Sequence, residues 1–253
     1  MTVISVANNK GGVGKTTTTL NVGAALADLN RRVLLVDLDP QASLTIYMGY
    51  DPASFDRNTY HLMTRRAAPA EMMCTGQHTF LDLLPASIDL ASAEIEISSA
   101  FSREYILKEQ LEKVSEFYDV VLIDNMPSLG IFTVNSLMAS DFVLIPVEPT
   151  YLAYKGLEMI SNTIAAVRRY NTKLEMLGTV ITMVDERTRH SRDIMQKIRE
   201  NYPVFEPPIR RSVKFADASL HGASIADFAG DSFEGTQAYA QIARQIIARI
   251  EQN

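Results

Sequence analysis

The hydrophobic positions of this chain fall into two rhythms. Short runs of consecutive apolar residues alternate with longer stretches in which apolar positions recur every three or four residues. The first run is Thr2-Val3-Ile4-Ser5-Val6-Ala7, followed by a turn rich in Gly and Lys. Over 16–29 the apolar residues Leu20, Val22, Ala25, Leu26 and Leu29 have helical spacing, and 32–38 is an apolar run again. Strand, turn, helix and strand in this order predict a βαβ unit. The alternation continues with strands over 118–123, 141–147 and 177–184 and helices over 151–170, 188–201 and 235–250. Apolar runs without polar alternation suit a parallel sheet covered on both faces. Right-handed crossovers then predict an α/β fold with a doubly wound, mostly parallel sheet flanked by helices.

No Gly/Ser- or Pro-rich linker, internal repeat or low-complexity tract interrupts the pattern, so residues 1–253 read as a single domain. The least patterned stretch, 51–79, is predicted to be a loop-and-helix excursion on the surface, with Met72 and Met73 filling gaps. A chain of 253 residues buries a large core without disulfides or metals. Its 47% hydrophobic and 21% charged residues are those of a soluble globular protein. The single cysteine, Cys74, excludes an intramolecular disulfide and a cysteine-built zinc or iron–sulfur site within one chain. A reducing cytoplasm is the expected setting. No apolar run approaches membrane-spanning length, and the N-terminus lacks the pattern of a secretory signal. The net charge of −6 argues against indiscriminate binding of nucleic acid by the whole surface.

Residues 8–17 read Asn-Asn-Lys-Gly-Gly-Val-Gly-Lys-Thr-Thr, between the first strand and the first helix. This is the context of a phosphate-binding loop. Glycines let the backbone of Gly11, Gly12, Val13 and Gly14 curl so that its N–H groups converge on phosphate oxygens. The helix N-terminus at Thr16 and Thr17 adds its positive end. Lys15 reaches between the β- and γ-phosphates, and the Thr16 hydroxyl suits Mg²⁺. ATP and Mg²⁺ are the expected cofactors. The second strand ends in Val-Asp37-Leu-Asp39-Pro, and strand alternation puts both carboxylates on one side. One can hold Mg²⁺ through water while the other orients the attacking water. Asp124, after the apolar run 120–123, is the further metal-side carboxylate of a phosphate-loop NTPase. The four histidines, His61, His78, His190 and His221, show no ligand spacing.

The usual glycine of this motif is replaced by Asn9, and an additional lysine, Lys10, precedes Gly11-Gly12. This deviant loop resembles that of the ParA/MinD family of ATPases. The resemblance implies that Lys10 crosses a dimer interface to the partner's nucleotide. It assigns water positioning to Asp39, which leaves Asp37 with Asp124 and Thr16 on the metal side. It also implies that Met183, Pro208 and Ile209 lie against the adenine. The segment Asn125-Met126-Pro127-Ser128-Leu129-Gly130 is similar to the family's second switch, with Met126 in place of a usual proline.

Charge is distributed unevenly. From Arg187 to Lys214 there are eight basic residues and three acids, a local +5 on a chain of total −6. Arg189, Arg192 and Arg199 share a helical face, and Arg210, Arg211 and Lys214 form a second group. Two such groups on an acidic chain suggest a phosphate-backbone footprint. The segments 182–188 and 208–214 resemble the chromosomal ParA (Soj) subgroup, which implies contacts with non-specific double-stranded DNA. The candidates are Arg187, Arg189, Arg192, Arg211 and Lys214. Lys214 stands where an arginine is usual, and 227–231 lacks the further basic residues of relatives.

The resemblance implies a partition or positioning ATPase that forms a homodimer on ATP and associates with the nucleoid. A ParB-like or other cargo adaptor would release it by stimulating hydrolysis. A membrane-cycling, MinD-like ATPase is the alternative. Its amphipathic anchor is poorly matched by 240–253, which lacks Phe, Leu and Lys. No stable membrane association is expected.

Overall fold

The structure, a computed structural model, describes residues 1–75, 78–185 and 187–252. Gly76 and Gln77 of the 51–79 stretch, Glu186 of the 182–188 segment, and Asn253 lie outside the described residues.

Among the described residues, eight strands form one sheet. They are β1 (Thr2–Val6), β2 (Val33–Leu38), β3 (Cys74–Thr75), β4 (Leu81–Leu84), β5 (Val120–Asn125), β6 (Phe142–Val147), β7 (Glu175–Ile181) and β8 (Val204–Phe205). Their spatial order is β3-β4-β2-β5-β1-β6-β7-β8, and every pairing is parallel except β3 with β4. The expected fold class is therefore observed.

The uninterrupted apolar runs acquire their meaning from residue parity. Ile4, Val6, Leu35 and Leu122 face one layer, formed by α1 (Lys15–Asp28), α2 (Ser43–Tyr47), α9 (Lys214–Leu220), α10 (Ile225–Ala229) and α11 (Glu234–Ile250). Val3, Leu34, Val36 and Ile123 face the other, against α3 (Thr59–Met63), α4 (Leu90–Glu96), α5 (Ile106–Glu112) and α6 (Ile131–Ala139). On that second face Val143, Ile145 and Val147 meet α7 (Tyr151–Val167) and α8 (Arg189–Asn201). A strand covered on both sides has no polar face to display.

The 51–79 stretch does contain loops and a helix, but it is not confined to the surface. Leu62 and Met63 of α3 are fully buried, and Met72 is buried beside them over β2 and β4. Met72 thus fills a core gap, while Met73 is half-buried. Arg65 and Arg66 fasten this stretch outside the core through ion pairs to Glu109 and Glu96. At the C-terminus, Ala238, Tyr239, Ile242 and Ile246 of α11 are buried in the core that includes α1. The apolar side of this helix is thereby occupied. Among the described residues, no helix is long and apolar enough to cross a membrane.

Candidate nucleotide site

The carboxyl ends of β1, β2 and β5 meet at one edge of the sheet, where an open α/β fold presents its ligand crevice. The turn after β1 passes into α1 through Gly12 and Gly14, with φ of 73° and 83°. These left-handed values favour glycine and curl the backbone as phosphate binding demands. Asn8 anchors the turn. Its side-chain amide donates to the Pro146 carbonyl at 2.8 Å, and its Oδ1 accepts from the Lys10 N–H at 3.0 Å. A second anchor is Thr182, whose hydroxyl donates to the Val13 carbonyl at 2.9 Å. Gly156 of α7 lets this turn approach, since a Cβ there would lie 2.7 Å from Asn9 Oδ1.

Lys15 is buried, and its Nζ donates to the Lys10 carbonyl at 3.2 Å. Burial pulls its pKa down, while the charges of Asp124 and Asp39 pull it up. Asp37 and Asp124 are register partners on adjacent strands, and both are buried. Burial raises the Asp124 carboxyl to about 8, helped by the negative charge of Asp37; hydrogen bonding from Thr16 and the charge of Lys15 oppose it. Thr19 also donates to Asp124, at 3.3 Å. Burial likewise pushes Asp37 up, to about 6, against hydrogen bonds from Thr45 and Asp39. Asp37 accepts from the Thr45 N–H at 2.9 Å, the Thr45 hydroxyl at 2.7 Å and the Asp39 N–H at 3.2 Å. Asp37 therefore shapes the turn that displays Asp39. The Asp39 carboxylate accepts from the Gln41 N–H at 2.9 Å and is half-buried.

Two buried carboxylates held above their ordinary pKa, beside the Thr16 hydroxyl, make an all-oxygen donor set that fits Mg²⁺. Thr16, Asp37 and Asp124 would hold it. Bound there, Mg²⁺ supplies positive charge against the phosphates. Toward a bound nucleotide the chain would offer the backbone amides of 11–16 and the Lys15 ammonium, and the Asp39 carboxylate would be the group available to orient a water.

Beside the loop lies a cavity of about 260 Å³, lined by Gly14, Thr17, Met183, Ile209, Phe215 and Tyr239 among others. Met183 and Ile209, two of the three residues expected against the adenine, line this cavity together with Thr17. Pro208 instead lines a neighbouring recess with Pro207, Arg210 and Phe233.

The basic candidates sit differently. A parallel bridge between Val184 and Arg210 sets the loop carrying Arg187 beside Arg211. Arg187 forks onto Asp185 at 2.8 and 2.7 Å, and this hydrogen bonding holds the Asp185 carboxyl down at about 2. Arg189 and Arg192 stand exposed on α8, opposite its buried Ile194, Met195 and Ile198. The Lys214 ammonium lies 4.5 Å from the Phe233 ring centre. Arg211 turns to Glu148 at 2.9 Å and lines the cavity beside the loop. Sequence reasoning missed Asn8, Thr45, Thr182 and Glu148. The one signal available for Asn8 and Glu148 was a polar residue directly following an apolar run.

A glycine-curled turn into a helix, a buried lysine and paired strand-end carboxylates define a phosphate-loop nucleotide hydrolase. Residues 1–176 match the family described as an AAA domain, AAA_31. The chain is 39% identical to the sporulation initiation inhibitor protein Soj of Bacillus subtilis, over 97% of this chain and 98% of that protein. It is 35% identical to the chromosome partitioning protein ParA of Caulobacter vibrioides, over 98% of this chain and 94% of that one. Among solved structures it resembles cobyrinic acid a,c-diamide synthase from Mycobacterium smegmatis with bound ADP and magnesium. That match has a TM-score of 0.87 at 38% identity, over 99% of this chain and 96% of the other. The chain belongs to the ParA/Soj-type family of partition and positioning ATPases. It is an ATPase, and ATP and Mg²⁺ are its cofactors.

Proposed function

We propose that this ATPase partitions or positions a cargo by coupling its nucleotide state to DNA association. Each subunit binds ATP through the loop 10–17, and two subunits close with Lys10 directed to the partner's nucleotide. The dimer sets two copies of the basic surface of Arg187, Arg189, Arg192 and Lys214 against DNA without sequence preference. A ParB-like or other cargo adaptor stimulates hydrolysis through Asp39, and the dimer opens and leaves the nucleoid. Doubling the phosphate contacts steepens both affinity and salt dependence. The observation that carries this reading is the likeness, along nearly the whole chain, to proteins named for sporulation control and chromosome partitioning.

A second reading, ATP-dependent diamide synthesis, is favoured by the likeness to the Mycobacterium smegmatis protein. Light scattering and ATPase assays separate the two. Partitioning predicts a monomer with ADP and a dimer with ATP in the Asp39→Ala variant. Turnover stimulated by cobyrinic acid and an amide donor, with no ATP-dependent dimer, would establish the synthase instead.

A further inference from the structure

Glu148 directly follows β6, with its side chain 21% exposed. One carboxylate oxygen accepts from Lys10 Nζ at 3.3 Å, and the other from Arg211 Nη2 at 2.9 Å. The two cations come from distant parts of the chain. Lys10 belongs to the phosphate loop; Arg211 lines the cavity that also contains Gly14 and Thr17. Lys10 is steadied further by Thr150 Oγ1 at 3.3 Å, and Thr150 is itself fixed as the N-cap of α7. Three cations, Lys10, Lys15 and Arg211, thus border a site built for phosphates. Glu148 engages two of them.

A nucleoside triphosphate brings several negative charges to the same place. Both cations keep spare donors, and Arg211, with its side chain 62% exposed, is free to turn. A carboxylate cannot follow them toward like charge. We propose that Glu148 is a built-in competitor of the nucleotide: it holds Arg211 until the phosphates of ATP bound in the same subunit draw it away, which makes Arg211 a nucleotide-site cation, and it holds Lys10 until that lysine turns to the partner's nucleotide. Glu148 is in this sense a positioning residue that sets the ATP concentration at which the site fills. An ion pair of this exposure changes an equilibrium by a factor of about 1.5 to 5.

The test is equilibrium titration of the full chain with mant-ATP and Mg²⁺, without DNA. Glu148→Gln keeps the shape and removes the charge, so it should bind about five-fold more tightly. Glu158→Gln, an acid of α7 paired with Lys155, controls for net charge and should stay within about 1.5-fold of wild type. Arg211→Met should bind about five-fold more weakly and should shrink the gain from Glu148→Gln in the double variant. Thermal melting of each variant confirms that the fold is kept. Unchanged or weaker binding by Glu148→Gln would overturn the proposal. So would an equal gain from Glu158→Gln, or unaltered mant-ATP binding by Arg211→Met.

Discussion

Around the phosphate loop, polar side chains are buried and tied to strand ends; across 187–214, the charges stand in solvent. Asp37 is fully buried with three donors on its carboxylate, whereas the Arg187 side chain is 89% exposed and, among the described residues, rests on Asp185. The first arrangement is organised before any ligand arrives, so each group acts at full strength in a water-poor setting. The second works by summed charge that salt screens, and no single residue dominates it. Single substitutions should therefore be severe in the first region and graded in the second.

The largest effect belongs to Lys15→Ala. Losing the buried ammonium should weaken mant-ATP binding by at least about 100-fold. Asp39→Ala comes next, lowering ATP turnover by about 100-fold while mant-ATP affinity stays near wild type, as expected of a group that acts on the attacking water. A comparable fall in affinity would place Asp39 with the binding groups instead. Arg187→Ala should weaken random-sequence DNA binding only a few-fold, about 1 kcal/mol, and reduce the salt slope by about 1 per subunit. Full retention of DNA affinity would remove Arg187 from the footprint.

Asp124→Asn sharpens the contrast through pH. The folded chain binds the Asp124 proton more tightly than the unfolded chain does, because burial raises this carboxyl to about 8. The resulting stabilisation is fully present below the unfolded value near 3.8 and is lost as pH rises through about 8. In the absence of nucleotide and Mg²⁺, Asp124→Asn should therefore melt above wild type at pH 8, by about 2–4 °C per kcal/mol relieved. The gap should close toward pH 5. A pH-independent difference would show that the buried charge is not its cause.

The same contrast governs what could be read from sequence. β1, β2, β5, β6 and β7 were legible because burial on both faces leaves uninterrupted apolar runs. β4 (Leu81–Leu84) spans four residues and carries Asp82, and β3 has only two residues, so neither makes a recognisable run. The short helices α4 and α5 have seven residues each and no side-chain cap, which leaves little periodicity to detect. In the site, the loop 8–17 was legible because its chemistry sits in consecutive positions. Glu148 was not, since it meets Lys10 across 138 positions. Thr45, which holds Asp37 from eight positions away, lies on a five-residue helix with nothing in its neighbours to mark it. Leu62 and Met63 misled for the opposite reason: a five-residue helix among polar loops carries a core contact.

In the proposed cycle, nucleotide state controls association with DNA. Its most direct test is binding of the full chain to random-sequence duplex DNA with ATP and Mg²⁺, with ADP and Mg²⁺, and without nucleotide, each at two salt concentrations. Binding should occur with ATP alone and fall steeply as salt rises. Equal binding in all three nucleotide conditions, or none in any of them, would contradict it.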